Sequence, residues 1–142
     1  MFCKRKGIKF FLSNEIKLAI KLDLDGVYLP SFNKYLRVNL DGMKRKFKLI
    51  GSAHNLYEIR CKEKQKVSRL FISSLFKNKN TFLGLNKFKI LSKFTKIPII
   101  ALGGISQNNL KKLNFLNIKG FAAISFFKSK KKGPNKWGPI NF

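Results

Sequence analysis

Acidic residues are scarce in this chain. Six Asp and Glu stand against 31 Lys and Arg over 142 residues, a formal charge of +25. An excess of this size ordinarily points to a polyanionic partner. Arginine is nearly as scarce, however: only Arg5, Arg37, Arg45, Arg60 and Arg69 are present. Bidentate phosphate contact and base readout favour Arg over Lys, so nucleic acid is disfavoured as a partner. The two cysteines, Cys3 and Cys61, form neither a disulfide framework nor a metal-binding spacing. They read as reduced thiols of a cytoplasmic protein. No apolar run approaches the roughly 20 residues that span a bilayer, so no membrane segment is expected. The apolar patch Ile8–Leu12 behind the basic start is too short for a signal peptide. The first strand is not followed by Gly-x-Gly-x-x-Gly, which removes a Rossmann dinucleotide site.

What is abundant is Lys, Asn, Ile and Phe together, all with AT-rich codons. Genome composition therefore accounts for the charge without selection for a polyanion. The charge still helps to attract a phosphorylated ligand. The length predicts a single domain.

Along the chain, strand and helix patterns alternate. Ile8–Leu12, Val27–Leu29, Phe47–Ile50, Leu70–Ser73, Ile97–Leu102 and Gly120–Ile124 read as strands. Helical faces fall at Asn14–Leu22, from Asn55 to about Lys64, at Leu85–Phe94 and at Asn108–Leu116. Asn55 and Glu58 have capping-box spacing, and Ser106 sits where it caps the next helix. Repeated β-then-α predicts an α/β fold with a parallel sheet, either a barrel or a doubly wound sheet. From Phe126 the chain is basic and broken by Gly-Pro pairs, so residues 127–142 are expected to form an irregular tail behind a folded portion of residues 1–126.

The stretch Ile97-Pro98-Ile99-Ile100-Ala101-Leu102-Gly103-Gly104-Ile105-Ser106 combines a buried parallel strand, two glycines and a helix start. Glycines admit close approach or positive φ, and a helix start offers N–H groups to an anion. (β/α) barrels build phosphate sites in this way. A tight connection would leave the same trace.

Four segments in order resemble the thiamine-phosphate synthase/TenI family. Leu18-Ala19-Ile20-Lys21-Leu22-Asp23-Leu24-Asp25-Gly26-Val27-Tyr28-Leu29 is similar to its "LAL-x-L-x-ADGVHL". Ile50 to Glu58 is similar to "GxSxH-x-x-x-E", Pro98 to Ile105 to "PVVAIGGI", and Lys119 to Ser125 to "GADGVAVIS". The resemblance spans about residues 8 to 126 and implies a (β/α)8 TIM barrel. It begins at the family's third strand, so the first two strands and the segment gripping the aminopyrimidine are not matched. A barrel of this kind usually takes at least about 200 residues. The expected fold is therefore an incomplete barrel of about six parallel strands. Its open edges would be covered by an oligomer or by another chain, or would mark an incomplete or decayed reading frame; the last two are favoured.

The resemblance implies a transferase of thiamine biosynthesis that joins a pyrimidine diphosphate to a thiazole phosphate and releases pyrophosphate. It implies Mg²⁺ held by two Asp, and those positions fall on Asn14 and Asn33, amides that read first as a helix cap and a turn residue. The family's diphosphate contacts fall on Ser13, Ser52 and the loop Asn78-Lys79-Asn80, where the Lys of "TxTK" is displaced or gone. Ser52 serves equally as a cap for the following helix. The thiazole-phosphate cradle falls on Gly103, Gly104, Ile124 and Ser125. Backbone donors keep working when side chains drift. The family's tautomerase branch uses a His where this chain has Ser74, which argues against that activity. His54, the single histidine, reads as structural near a helix start rather than catalytic, and Glu58 as the capping acid. Three readings result: a thiamine-phosphate-synthase-like protein with no assigned catalytic residue, a non-catalytic phosphate-ligand binder or half of a two-chain barrel, and a basic polyanion-binding protein.

Overall fold

Short apolar runs become strands here, and Asn14 and Gly103-Gly104, all with positive φ, turn the chain out of two of them towards the next helix. The structure, a computed structural model, describes residues 2–36, 46–76, 82–124 and 126. The chain divides into two compact units, Met1–Phe71 and Ile72–Phe142.

In the first unit the order is α1 (Phe2–Arg5), β1 (Phe11–Ser13), α2 (Ile16–Lys21), β2 (Gly26–Leu29), β3 (Lys48–Ala53) and α3 (Leu56–Lys64). β4 (Arg69–Ile72) crosses the point of division. β1 pairs with β2 in parallel, Phe11 beside Gly26 and Ser13 beside Tyr28. β2 pairs with β3 in parallel, Gly26 beside Lys48 and Leu29 beside Gly51. Helices α2 and α3 pack on β2 and β3, burying Ala19, Val27, Leu29, Leu49 and Ile59. The alternate residues Tyr28 and Phe71 are only half-buried and meet edge to face, ring centroids 5.9 Å apart. Gly26 has to be glycine: a Cβ there would run into the Lys48 carbonyl oxygen.

In the second unit α4 (Gly84–Ser92) is followed by β5 (Ile99–Leu102), a 3-10 helix (Gln107–Phe115) and β6 (Gly120–Ala122). β5 and β6 are parallel, with Leu102 beside Ala122. Phe88, Ile99, Ile100, Ala101, Ile105 and Leu113 form its core. Six strands thus alternate with helices among the described residues, in the α/β pattern expected.

Several boundaries differ from the sequence reading. β1 starts at Phe11 rather than Ile8, because Asp25 captures the Phe10 backbone: Phe10 N–H donates to Asp25 Oδ2 at 2.8 Å, and Asp25 N–H donates to Phe10 O. Ile8 is tied to α1, a turn not anticipated, through its N–H to Cys3 O. β3 runs on to Ala53 and β6 stops at Ala122. The segment after Ser106 is a 3-10 helix instead of an α-helix. Its opening Gln-Asn-Asn has weak helix propensity, and Asn109 turns its amide back onto the preceding loop.

Candidate functional site

In the first unit the predicted positions gather at the C-terminal ends of the strands. Ser13 ends β1 and is exposed. Asn14 follows in the left-handed region, φ 61°, with its N–H on Tyr28 O at 2.8 Å. Asn tolerates that conformation better than most residues. Asn33 lies in the loop after β2, and its Nδ2 donates to Asn14 Oδ1 at 2.6 Å. The two positions where the resemblance put metal-binding carboxylates are therefore brought together, as amides bonded to one another.

A pair of residues that sequence reading missed supports this loop from below. Lys62, on the inward face of α3, has 0% of its surface exposed. Its Nζ donates to Pro30 O at 2.7 Å, Asn33 O at 2.8 Å and Gln65 Oε1 at 2.9 Å, so all three ammonium donors are used. Gln65 Nε2 donates to Asn33 O, Asn33 Oδ1 and Tyr35 O at 3.0–3.1 Å. Burial pushes the Lys62 pKa down to about 8, with electrostatic attraction from the neighbouring Cys61 and Glu58 pulling the other way. Gly51 makes room for the lysine stem: a Cβ there would lie 2.8 Å from Lys62 Cδ. Lys34 Nζ sits 5.1 Å over the Tyr57 ring and gives the loop a second tie to α3.

Ser52 is buried near the end of β3. The cap of α3 is Asn55, whose Oδ1 accepts the Glu58 N–H at 2.9 Å, so the helix-capping alternative for Ser52 falls away. Glu58 reaches back to the His54 N–H at 2.7 Å, one residue before the expected capping-box partner. His54 is half-buried, and its backbone fixes the start of α3. Asn78, Lys79 and Asn80 lie outside the described residues.

In the second unit Gly103 and Gly104 leave β5 with φ of 105° and 71°. A Cβ on Gly103 would stand 2.5 Å from Ser74 Oγ and 3.1 Å from Leu75 N. The loop after β4 is sewn to this turn by Leu75 N–H to Leu102 O and Phe76 N–H to Gly103 O. Since Leu102 and Ala122 are register partners, the Gly103-Gly104 turn and Ala123-Ile124 leave the same end of a parallel pair. Ile124 is 74% exposed, and Ser125 lies outside the described residues. At the helix start two amides are already engaged, those of Ser106 and Asn109. Ser106 N–H donates to Asn109 Oδ1 at 2.9 Å, while Asn109 Nδ2 donates to Gly104 O at 2.9 Å. The expectation of open N–H groups there is corrected at Ser106 and Asn109.

A family model described as thiamine monophosphate synthase matches residues 1–127. The chain belongs to this family. It is 29% identical over 128 residues to a thiamine-phosphate synthase of Prochlorococcus marinus, covering 87% of this chain and 37% of that protein. A thiamine-phosphate synthase of Methanococcus vannielii is 26% identical, with 82% of this chain and 58% of that protein covered. Among solved structures, a thiamine phosphate pyrophosphorylase from Pyrococcus furiosus superposes with a TM-score of 0.72 at 25% identity, covering 87% of this chain and 60% of that one. The chain thus spans 37–60% of the length of these relatives, and its strands with intervening helices, parallel where paired within each unit, match part of their α/β fold.

The Mg²⁺ implied by the family meets a donor set that does not suit it. A hard dication favours carboxylate oxygens. Here each amide oxygen accepts an N–H, and a buried ammonium lies directly behind Asn33. Among the described residues no group of three or more His, Cys, Asp or Glu comes together to hold a metal. No helix among them is long and apolar enough to cross a membrane.

Proposed function

We propose that this chain acts in thiamine-phosphate synthesis by binding a phosphate-bearing thiazole at the turns that leave β5 and β6. The observation carrying this reading is the family match over residues 1–127, together with the Gly103-Gly104 turn placed beside the exit of β6. The phosphate would meet backbone N–H groups of Gly103, Gly104 and Ile124, with Ser125 next in line. Backbone donors in a positive-φ turn form a concave anion nest. The +25 charge raises the local concentration of such a ligand. In the full reaction the pyrimidine C–O bond to diphosphate breaks, pyrophosphate leaves with the electron pair, and the thiazole nitrogen forms the new C–N bond. Ser13 and Ser52 stand at strand ends where the leaving diphosphate would be received. The two free cysteines agree with a cytoplasmic setting.

A second reading is ligand binding without turnover, favoured by the amide pair Asn14–Asn33. A thermal melt of the purified chain with and without thiazole phosphate tests the first step. A ligand that binds only the folded state raises the midpoint. A cooperative melt that shifts upward supports the reading, and pyrophosphate release in the presence of both substrates then separates turnover from binding. A cooperative melt that ignores thiazole phosphate overturns both.

A further inference from the structure

We propose that Lys62 and Gln65 form a built-in brace that makes the Asn14–Asn33 site metal-free. The buried ammonium supplies the cross-link and positive charge that a divalent cation would bring, and no such cation binds between the two amides. The inference rests on the family reading only for where a metal would be expected; the brace itself is read from this chain.

The hydrogen bonds around Asn33 leave no place for a cation. Asn33 Oδ1 accepts from the Tyr35 N–H at 3.0 Å and from Gln65 Nε2 at 3.1 Å, which uses both lone pairs. Asn33 Nδ2 points at Asn14 Oδ1, 2.6 Å away. Turning the amide over to offer its oxygen to a metal would break all three bonds and set two carbonyl oxygens against each other. The Asn33 main-chain oxygen is held by Lys62 Nζ at 2.8 Å and by Gln65 Nε2 at 3.1 Å. Four of the described carboxylates of this unit serve elsewhere. Asp25 holds Phe10, Asp23 pairs with Lys4, Glu58 holds His54 and Glu63 pairs with Arg60. Glu15, next to Asn14, is exposed and makes no side-chain cap on α2. A dication entering here would meet a fixed ammonium at short range, with no carboxylate among the described contacts of Asn14 and Asn33 to offset the repulsion.

The brace also explains the shape of the loop. Between Pro30 and Tyr35 three main-chain carbonyls, those of Pro30, Asn33 and Tyr35, are bound by Lys62 or Gln65 side chains reaching from α3. Lys62 is thus a positioning residue: it fixes Asn33 and, through it, the Asn14 side chain beside Ser13. Gly51 is part of the device, since only a glycine in β3 leaves space for the lysine stem.

The test uses the full chain and Mn²⁺ alone, followed by electron paramagnetic resonance of the free ion. A second readout is amide hydrogen exchange across residues 30–35. Wild type is expected to leave millimolar Mn²⁺ unbound. Lys62→Met is expected to speed exchange at Asn33 and Tyr35 by about tenfold or more while β3 keeps its protection. Gln65→Leu, which leaves the ammonium in place, should speed the same amides to a smaller degree, and it tests the brace by itself should Lys62→Met not fold. Stoichiometric Mn²⁺ binding that Asn33→Ala abolishes would overturn the metal-free assignment. Unchanged exchange at residues 30–35 in both variants would overturn the brace. Neither readout involves thiazole phosphate, so failure here is distinct from failure of the melt test.

Discussion

The two units build their strand-end sites from different materials. In the first, side chains form the site: Asn14, Asn33, Lys62 and Gln65 make a polar network, buried at Lys62 and Gln65 and exposed at Asn14, whose chemistry changes with each substitution. In the second, the proposed phosphate site is made of main chain, the Gly103-Gly104 turn and the exit of β6. A side-chain site can exchange carboxylates for amides and keep its shape while losing its affinity for a cation. A backbone site keeps its N–H donors whatever side chains surround it, so long as the turn itself persists. In a family member so poor in acid, the proposed phosphate site is therefore the one on which sequence drift has least leverage.

That contrast can be broken most sharply at Gly103. Gly103→Ala forces a Cβ to within 2.5 Å of Ser74 Oγ at a φ of 105°. It should cost about 3 kcal/mol or more and abolish any upward melt shift with thiazole phosphate, as read by calorimetry. Asn33→Ala, in the side-chain site, should cost only about 1–2 kcal/mol and leave that shift in place.

A comparable effect follows from Lys62. Its folded pKa of about 8 lies below the ordinary 10.5, so between these values the unfolded chain holds more protons than the folded one. Stability from this group therefore rises with pH from about 8 to 10.5, and is lost again as pH falls through 8. The full span is about 3 kcal/mol at most. Denaturant melts at pH 7 and pH 10 should show the rise in wild type, and Lys62→Met should lack that part of it. A smaller effect belongs to Asn55→Ala, which removes the cap on the Glu58 N–H. About 1 kcal/mol should be lost in the denaturant midpoint, with no change in ligand response.

Much of this is legible from residue order. Asn55 with Glu58 marks the start of α3, Gly103-Gly104 marks the end of β5, and alternating apolar runs mark the strands. Asn14 and Asn33 are paired by the family resemblance rather than by residue order, and they do meet. Lys62 and Gln65 do not stand out, for a physical reason. They lie three apart on a face that Ile59 and Cys61 help bury, and a buried lysine in such a lysine-rich chain has no compositional contrast. The readable trace is two polar residues at i and i+3 on an inward face, opposite a mid-strand glycine. The 3-10 helix escapes a sequence reading because capping by Ser106 and Asn109 announces a helix start without stating its pitch. The early start expected for β1 fails because an aspartate fifteen residues on, Asp25, claims the Phe10 amide.

Gly51 and Lys62 carry one more consequence. They form a volume exchange between a strand and the helix lying on it, and the exchange has a direction. A glycine introduced first at position 51 leaves a small void, which a packed core survives. A lysine introduced first at position 62 collides with any side chain at 51, with Val67 Cγ1 closing the same space 3.2 Å from where a Cβ on Gly51 would sit. The reverse path is equally ordered: no residue larger than glycine enters at 51 until 62 has been shortened. Protein engineering at this site therefore has to treat the two positions as a single locus, edited in sequence.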